Sequence, residues 1–176
     1  FVANMLIHDG ARKESAPGAR LYLGFFPDRI PDYSGVDYWI RKVRAGTPLD
    51  AAASQFAGGS DFIRRYGTLS NVDYVKQIYR NLFEREADPS GLDYWTRRLD
   101  GGAKRGWVMR QLCESAEFQR KTDAKVKVIQ VYAAMLKRSP DPSGYSYWAG
   151  RITAGAAGLT GLISSIRTGG AYSSRF

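Results

Sequence analysis

The chain of 176 residues, 44% hydrophobic and 24% charged, has the composition of an ordinary globular protein, and no apolar run approaches the roughly 18 residues that a membrane-spanning helix needs. A single cysteine and a single histidine exclude an internal disulfide, a thiolate zinc cluster and a histidine-based catalytic triad, so we expect neither a metal nor a cofactor. The net charge of +9 would speed association with an anionic partner, although the basic residues are scattered rather than gathered in runs.

The first 18 residues are predicted to hold the tail of a helix, over residues 1–9, and then a loop that breaks this helix at Gly10. The sequence begins without a methionine or a signal-type apolar core, so we expect it to be a segment of a longer protein. His8 is assigned no chemistry, and Cys113 is expected to be a small buried residue.

One phrase then recurs three times, as DYSGVDYW at 32–39, DPSGLDYW at 88–95 and DPSGYSYW at 141–148. A tyrosine precedes each phrase, an arginine stands three residues before its aspartate, and a glycine follows its tryptophan by seven residues. These flanking residues are Tyr22, Tyr79 and Tyr132, then Arg29, Arg85 and Arg138, then Gly46, Gly102 and Gly155. The sequence therefore predicts three copies of one unit, at 19–70, 71–124 and 125–176, of which the last is a terminal unit.

Each copy is predicted to contain about three helices, A, B and C. Helix A of the second copy places Val75, Ile78 and Leu82 at helical spacing, and Asn71 can cap its start. Helix C of the first copy begins at TPLD, with Thr47 as its N-cap. Since no alternating β-branched run is bounded by hairpin turns, we predict an all-α fold in which the three copies pack into one compact bundle.

The phrase itself is interpreted as the start of helix B. An aspartate followed by proline places a carboxylate where it accepts hydrogen bonds from the first turn, and places proline at the first helical position. The residues assigned to this capping role are Asp32, Asp88 and Asp141. The glycine three residues later leaves room either for the tryptophan to fold back or for helix A to come close.

A tryptophan falls in the middle of the apolar stripe of each helix B. An exposed indole could stack against a sugar, but a tryptophan between two aliphatic residues of one stripe is more typical of a core. The residues assigned to the structural core are therefore Trp39, Trp95 and Trp148.

The acidic residues of the phrase do not indicate a metal or a catalytic site. Asp88, Ser90 and Asp93 offer oxygens within one short segment, but calcium takes about six to eight ligands, and the third copy has Ser146 in place of the second acid. Asp93 instead has Arg97 four residues later, the favourable order for a surface ion pair on a helix, as Asp37 has Arg41. We expect no catalytic residue, because nothing places two acids across a cleft.

Beside the tryptophans, each copy pairs a tyrosine with a cation four residues later. Such pairs form either a groove that stacks sugar rings or contacts an acidic polymer, or tyrosines at helix contacts with cations lying over them. Both interpretations stay open. The candidate ligand-binding residues of this tyrosine–cation strip are Tyr38, Lys42, Tyr94, Arg98, Tyr147 and Arg151.

The stretches IYRNLFER, ADPSGLDYW, RRLDGG and LCESAEF of the second copy together resemble the repeat unit of the bacterial family catalogued as domain of unknown function 4214. The resemblance covers nearly all of the chain from about residue 19, and it is weaker in the third copy, where TGGAY replaces the Ser-Ala-Glu-Phe ending. It implies an all-helical fold similar to phycobilisome-linker domains. It also implies a place in a large secreted or surface-attached bacterial protein, some of which have calcium-binding or S-layer-like partners, and it implies no catalytic residue.

Together these observations favour a non-catalytic binding or assembly module at the bacterial cell surface or outside the cell. Its expected partner is an acidic or neutral polysaccharide, or a cell-envelope protein, contacted through helix faces. The alternative is a basic helical module that binds nucleic acid inside the cell, which is disfavoured because acidic residues are interspersed among the basic ones. An enzyme ranks last, since the chain offers no nucleophile, metal cluster or phosphate loop.

Overall fold

A computed structural model describes residues 9–155 and 157–169, which form ten α-helices and no strand. The all-α prediction is therefore confirmed over this part of the chain. The helices are α1 (Asp9–Phe25), α2 (Tyr33–Arg44), α3 (Leu49–Ala57), α4 (Ser60–Tyr66), α5 (Asn71–Phe83), α6 (Pro89–Asp100), α7 (Arg105–Cys113), α8 (Ala116–Leu136), α9 (Pro142–Ala154) and α10 (Ala157–Thr168). His8 and nearly all of the helix tail predicted over residues 1–9 lie outside the described residues.

The leading segment differs from the prediction, because α1 begins at Asp9 and runs through Gly10 and Pro17. The residues expected to form a loop therefore belong to the same helix as helix A of the first copy. A glycine costs a helix interior about 1 kcal/mol and a proline about 3 kcal/mol, so packing has to compensate. α1 contacts α2, α3, α5, α7 and α8, and the hydroxyl of Ser15 accepts a buried hydrogen bond from Gln130 Nε2 at 2.6 Å. These tertiary contacts outweigh the local preference that the sequence expresses.

Buried side chains form two clusters. The larger one surrounds α1 and includes Phe25, Ile78 and Met109 from α1, α5 and α7. The smaller one joins α8, α9 and α10 through residues such as Val128 and Leu162. The helix α8 is continuous over 21 residues and contributes residues to both clusters, so it connects the second copy to the third.

The helices α3 and α7, the C helices of the first two copies, approach each other closely. A Cβ atom at Gly106 would lie 2.3 Å from the backbone nitrogen of Ser54, so only glycine fits at this crossing. Asp50 also pairs with Arg110. When the two copies are aligned on Gly46 and Gly102, Asp50 corresponds to Gly106 and Ser54 to Arg110. Corresponding positions therefore exchange contacts, which is the pattern of a twofold interface.

Two predicted helix caps are wrong. Thr47 does not cap α3, which begins after Pro48 with no side-chain cap, because the Thr47 N–H bonds to Lys42 O at 2.9 Å and so completes the end of α2. Asn71 is already inside α5, whose N-cap is Ser70. Ser70 is favoured because its hydroxyl accepts from Asp73 N at 3.1 Å and donates to the Asp73 carboxylate at 2.6 Å.

Candidate functional site

The recurring phrase starts α2, α6 and α9, and its aspartates cap these helices as predicted. Each carboxylate accepts from the backbone N–H of the glycine three residues later, at 2.7 to 2.8 Å, and from the intervening serine hydroxyl at 2.6 Å. In all three carboxyl groups the pKa is lower than usual, and the hydrogen bond from the serine hydroxyl is the main cause. The capping residues confirmed in this way are Asp32, Asp88 and Asp141.

The tyrosine of helix A lies against this cap. In the first copy the Tyr22 hydroxyl donates to Asp32 Oδ2 at 3.1 Å. In the second copy a Cβ atom at Gly91 would lie 2.7 Å from the Tyr79 hydroxyl oxygen. The glycine of the phrase therefore leaves room for helix A, which decides between the two alternatives that the sequence left open.

In the second and third copies the recurring arginine completes the same junction. Arg85 lies 5.5 Å from the ring centroid of Tyr79, and Arg138 lies 5.3 Å from that of Tyr132. In both tyrosines burial raises the pKa of the hydroxyl above its usual value. The residues that recur most faithfully thus form a structural joint between helices A and B.

The three tryptophans predicted as core lie at its edge. Each is half-buried, and the first two pack against the larger cluster while the third packs against the smaller one. The preceding tyrosine meets each indole nearly perpendicularly, with ring centroids 4.8 to 5.1 Å apart. These residues, Trp39, Trp95 and Trp148, contact the core without being enclosed by it.

The tyrosine–cation strip is exposed, with Tyr38, Tyr94 and Tyr147 accessible to 49%, 47% and 58%. In the first copy Lys42 Nζ lies 5.6 Å from the Tyr38 ring centroid. In the second, Arg98 lies 5.2 Å from the Tyr94 ring and donates to its hydroxyl at 3.2 Å. In the third copy no such contact joins Arg151 to Tyr147 within the described part of the chain. The structure therefore assembles the strip in two copies of the three.

The first pair lines a cleft with both of its residues, and the second pair borders one through its cation alone. Tyr38 and Lys42 line a volume of about 660 Å³ at the surface of α2. Arg98 borders a volume of about 730 Å³, here named the α3–α7 cleft. Its lining residues are Pro48, Asp50, Ala51, Ser54, Arg98, Ala103, Lys104 and Trp107.

Trp107 is the residue of this cleft that sequence reasoning misses. Its ring centroid lies 6.0 Å from that of Trp95 in an edge contact, and Arg98 lies 6.0 Å from its face. When the three copies are aligned on the glycine that follows each recurring tryptophan by seven residues, Trp107 stands where the other copies have Ala51 and Thr160. Only the second copy has a tryptophan at this position, and this difference between the copies is the signal that could have identified it.

The α3–α7 cleft has an excess of positive charge. Its one acidic residue, Asp50, is neutralised by Arg110. Neither Arg98 nor Lys104 has an acidic partner within the described residues. Both cations are exposed and available to a ligand.

The remaining predictions concern ion pairs and the cysteine. The surface ion pair of Asp93 with Arg97 is confirmed at 2.9 Å, as is that of Asp37 with Arg41. Cys113 is fully buried, as predicted, and burial raises the pKa of its thiol well above the usual value. Across residues 9–155 and 157–169, no group of three or more His, Cys, Asp or Glu side chains could hold a metal, and no helix is long and apolar enough to cross a membrane.

Comparison with known proteins gives one match. The family model described as Domain of unknown function (DUF4214) matches residues 53–122 and 125–166, which is more than half of the chain. The first block begins inside α3, and the junction between the blocks lies in α8 beside the boundary predicted between the second and third copies. Curated proteins and solved structures gave no match. The recurring residues and the family model agree, and the chain belongs to the family of domain of unknown function 4214.

Proposed function

We propose that the chain is a non-catalytic binding module that holds acidic polysaccharide at the bacterial cell surface or outside the cell. The observation that carries the proposal is the tyrosine–cation strip, in which an exposed tyrosine ring lies beside a cation that has no acidic partner in the described chain and that borders a cleft. The flat C–H face of a sugar ring packs on an aromatic face, and a cation beside it binds a carboxylate or sulfate group. The strip offers both contacts together, in the first two copies.

The distribution of charge supports a polymer bound at separate points rather than one continuous basic groove. Many described cations are held by acids, as Arg20 is by Glu114 at 2.7 Å and Arg80 by Glu86 at 2.6 Å. The cations of the strip, by contrast, are exposed and without such partners in the described chain. Because Lys42 and Arg98 lie on different helices, a flexible polysaccharide can contact both, and two weak contacts on one chain reinforce each other.

An exported location is part of the proposal. It is supported by the resemblance of the recurring residues to modules of secreted and surface-attached bacterial proteins. A contact with a cell-envelope protein through the same exposed strip is the related possibility, and a protein partner would use the tyrosines as anchors.

The test compares two variants that lose the same charge. Replacing Lys42, Arg98 and Arg151 together by alanine removes the strip cations, whereas replacing Arg120, Lys125 and Arg167 removes three exposed cations elsewhere. In affinity electrophoresis through gels containing alginate, the first variant should lose its retardation and the second should keep it. Dextran gels, in which the polymer is neutral, measure any contribution of stacking alone.

Two results would overturn the proposal. Equal loss in both triple variants would show that net charge alone governs retention. Tighter binding of duplex DNA than of alginate, with a steep salt dependence, would favour the nucleic-acid alternative instead.

A further inference from the structure

We infer that the α3–α7 cleft binds a single uronic acid residue of an oligosaccharide, with Trp107 as the stacking platform and with Arg98 and Lys104 as the ligands of the carboxylate. The inference rests on the proposed function and assigns the ligand class of the site in the second copy. It also separates this site from the first-copy cleft, whose lining includes no tryptophan.

The shape of the cleft fits a small ring. Its volume of about 730 Å³ lies within the range of about 300–1,000 Å³ that small-ligand pockets have. One wall is formed by Pro48, which precedes α3, and by the small residue Ala51 of α3, and the α7 side carries the large indole of Trp107. A pyranose ring has an apolar C–H face and a polar rim, so an indole on one side and cations at the rim match its chemistry.

The charge of the cleft selects an anionic sugar. Since Asp50 is engaged by Arg110, the two remaining cations have nothing to neutralise them within the described chain. Hydrogen bonds from a guanidinium or ammonium to a carboxylate are roughly twice as strong as neutral ones. A uronate bound between Arg98 and Lys104 would therefore be favoured over the neutral hexose of the same shape.

Two of the three binding groups, Arg98 and Trp107, are held in place before a ligand arrives. Arg98 lies between two rings, 5.2 Å from Tyr94 and 6.0 Å from Trp107, and only one of its donors is used by the Tyr94 hydroxyl. The other N–H groups of the guanidinium are left for a ligand. Trp107 is supported by the edge of Trp95, and the Gly106 crossing fixes α7 on α3. A site built on packed helices loses little freedom on binding, which favours affinity for a short ligand.

The test uses trigalacturonic acid, its methyl ester and polyglutamate as probes in isothermal titration calorimetry. The acid should bind, and the ester, which keeps the ring but loses the charge, should bind at least about tenfold more weakly. Polyglutamate, which keeps the charge but has no ring, should also bind more weakly. Lys104→Ala should weaken binding of the acid by about tenfold, whereas Lys125→Ala, an exposed lysine outside the cleft, should leave it unchanged.

Three further variants test the platform. Trp107→Ala should abolish binding, and Trp107→Phe, which keeps an aromatic face, should retain part of it. Ala51→Trp should also abolish binding, because it fills the cleft from an exposed position while leaving Arg98, Lys104 and Trp107 intact. Melting curves establish that each variant is folded, and the Ala51 and Lys104 variants decide the question if Trp107→Ala does not fold.

Equal binding of the acid and the ester, or unchanged binding by the folded Lys104 and Ala51 variants, would overturn the inference. If trigalacturonic acid fails to bind while alginate is still retained through the strip, the cleft assignment alone is wrong. If neither binds, the proposed function is wrong as well.

Discussion

Replacing Gly91 by alanine tests the joint between helices A and B. Gly91 lies in the first turn of α6, where alanine would ordinarily be the better helix former by about 0.5–1 kcal/mol. Here the added methyl group would lie 2.7 Å from the Tyr79 hydroxyl oxygen and 3.0 Å from Asp88 Oδ2. Neither group can move freely. Tyr79 is buried and its ring packs against Phe83 at 5.4 Å, and the Asp88 carboxylate caps the helix.

The two effects oppose each other, and their sizes set the sign of the change. Inserting a methyl group into a packed site costs roughly 1–3 kcal/mol. Subtracting the helical gain leaves a net loss in the free energy of unfolding of about 1 kcal/mol for Gly91→Ala. For a chain of this size that loss lowers the melting temperature by about 2–4 °C.

Gly150→Ala is the matched control. Gly150 lies inside α9, is exposed, and a Cβ atom there would meet nothing within 4 Å. This variant should raise the free energy of unfolding by about 0.5–1 kcal/mol. Thermal melts followed by circular dichroism should therefore move in opposite directions for the two glycines. If the melting temperature rises as much for Gly91→Ala as for Gly150→Ala, the proposed close contact between helices A and B at Gly91 is refuted.

A double-mutant cycle identifies the opposing group. Tyr79→Phe removes the oxygen that the new methyl group meets first, so Gly91→Ala should cost less in that background, with a coupling energy of at least about 0.5 kcal/mol. Additive effects would show that Tyr79 is not the group that excludes alanine.

Three further predictions concern the caps, the cysteine and the ion pairs. Because the cap bonds lower the pKa of Asp88 below its usual 3.8, its ionised form stabilises the fold above pH 3.8, and this contribution is lost as the pH falls through the lowered value. Urea midpoints of the wild type and Asp88→Ala should therefore differ at pH 7 and begin to converge only below pH 3.8; a constant gap would contradict this. Native Cys113 should resist thiol reagents at neutral pH and react at the rate of unfolding, so rapid labelling of the folded protein would be inconsistent with its burial. Arg97→Ala should change the free energy of unfolding by less than about 0.5 kcal/mol, because its ion pair is exposed. Glu114→Ala should lower the free energy of unfolding by roughly 1.5–3 kcal/mol, because it breaks a largely buried pair with Arg20. Equal effects of Arg97→Ala and Glu114→Ala in denaturant titrations would contradict this difference between an exposed and a buried ion pair.

The sequence predicts those features whose cause is local. Helical spacing of apolar residues identifies the all-α fold. The caps are predictable because an aspartate just before the first turn of a helix accepts hydrogen bonds from that turn whatever the tertiary surroundings. The features that it mispredicts depend on distant contacts or on neighbouring elements. The path of α1 through Pro17 depends on helices that come much later in the chain, and Thr47 is used by the end of the preceding helix.

The α3–α7 cleft could not be predicted from local sequence patterns for the same reason. Its two sides are separated by more than forty residues, and nothing in either segment specifies that they cross at Ser54 and Gly106. The tyrosine–cation pairs, by contrast, lie within one helical turn of each other, so the sequence could place them together in advance. A candidate strip was therefore predictable, whereas the site that it borders was not.

The positions where the copies differ explain how a near-symmetric contact produces one asymmetric site. Pro48 and Ala51 of the first copy correspond to Lys104 and Trp107 of the second, and all four line the same cleft from its two sides. Two tryptophans facing each other would fill this space, and two alanines would leave it without a platform or a charge. One copy therefore supplies the wall, and the other supplies the residues that we infer bind the ligand. The aspartate, serine and glycine that recur in every copy form the caps where helix B begins, whereas Lys104 and Trp107 stand where the other copies have neither a cation nor an indole.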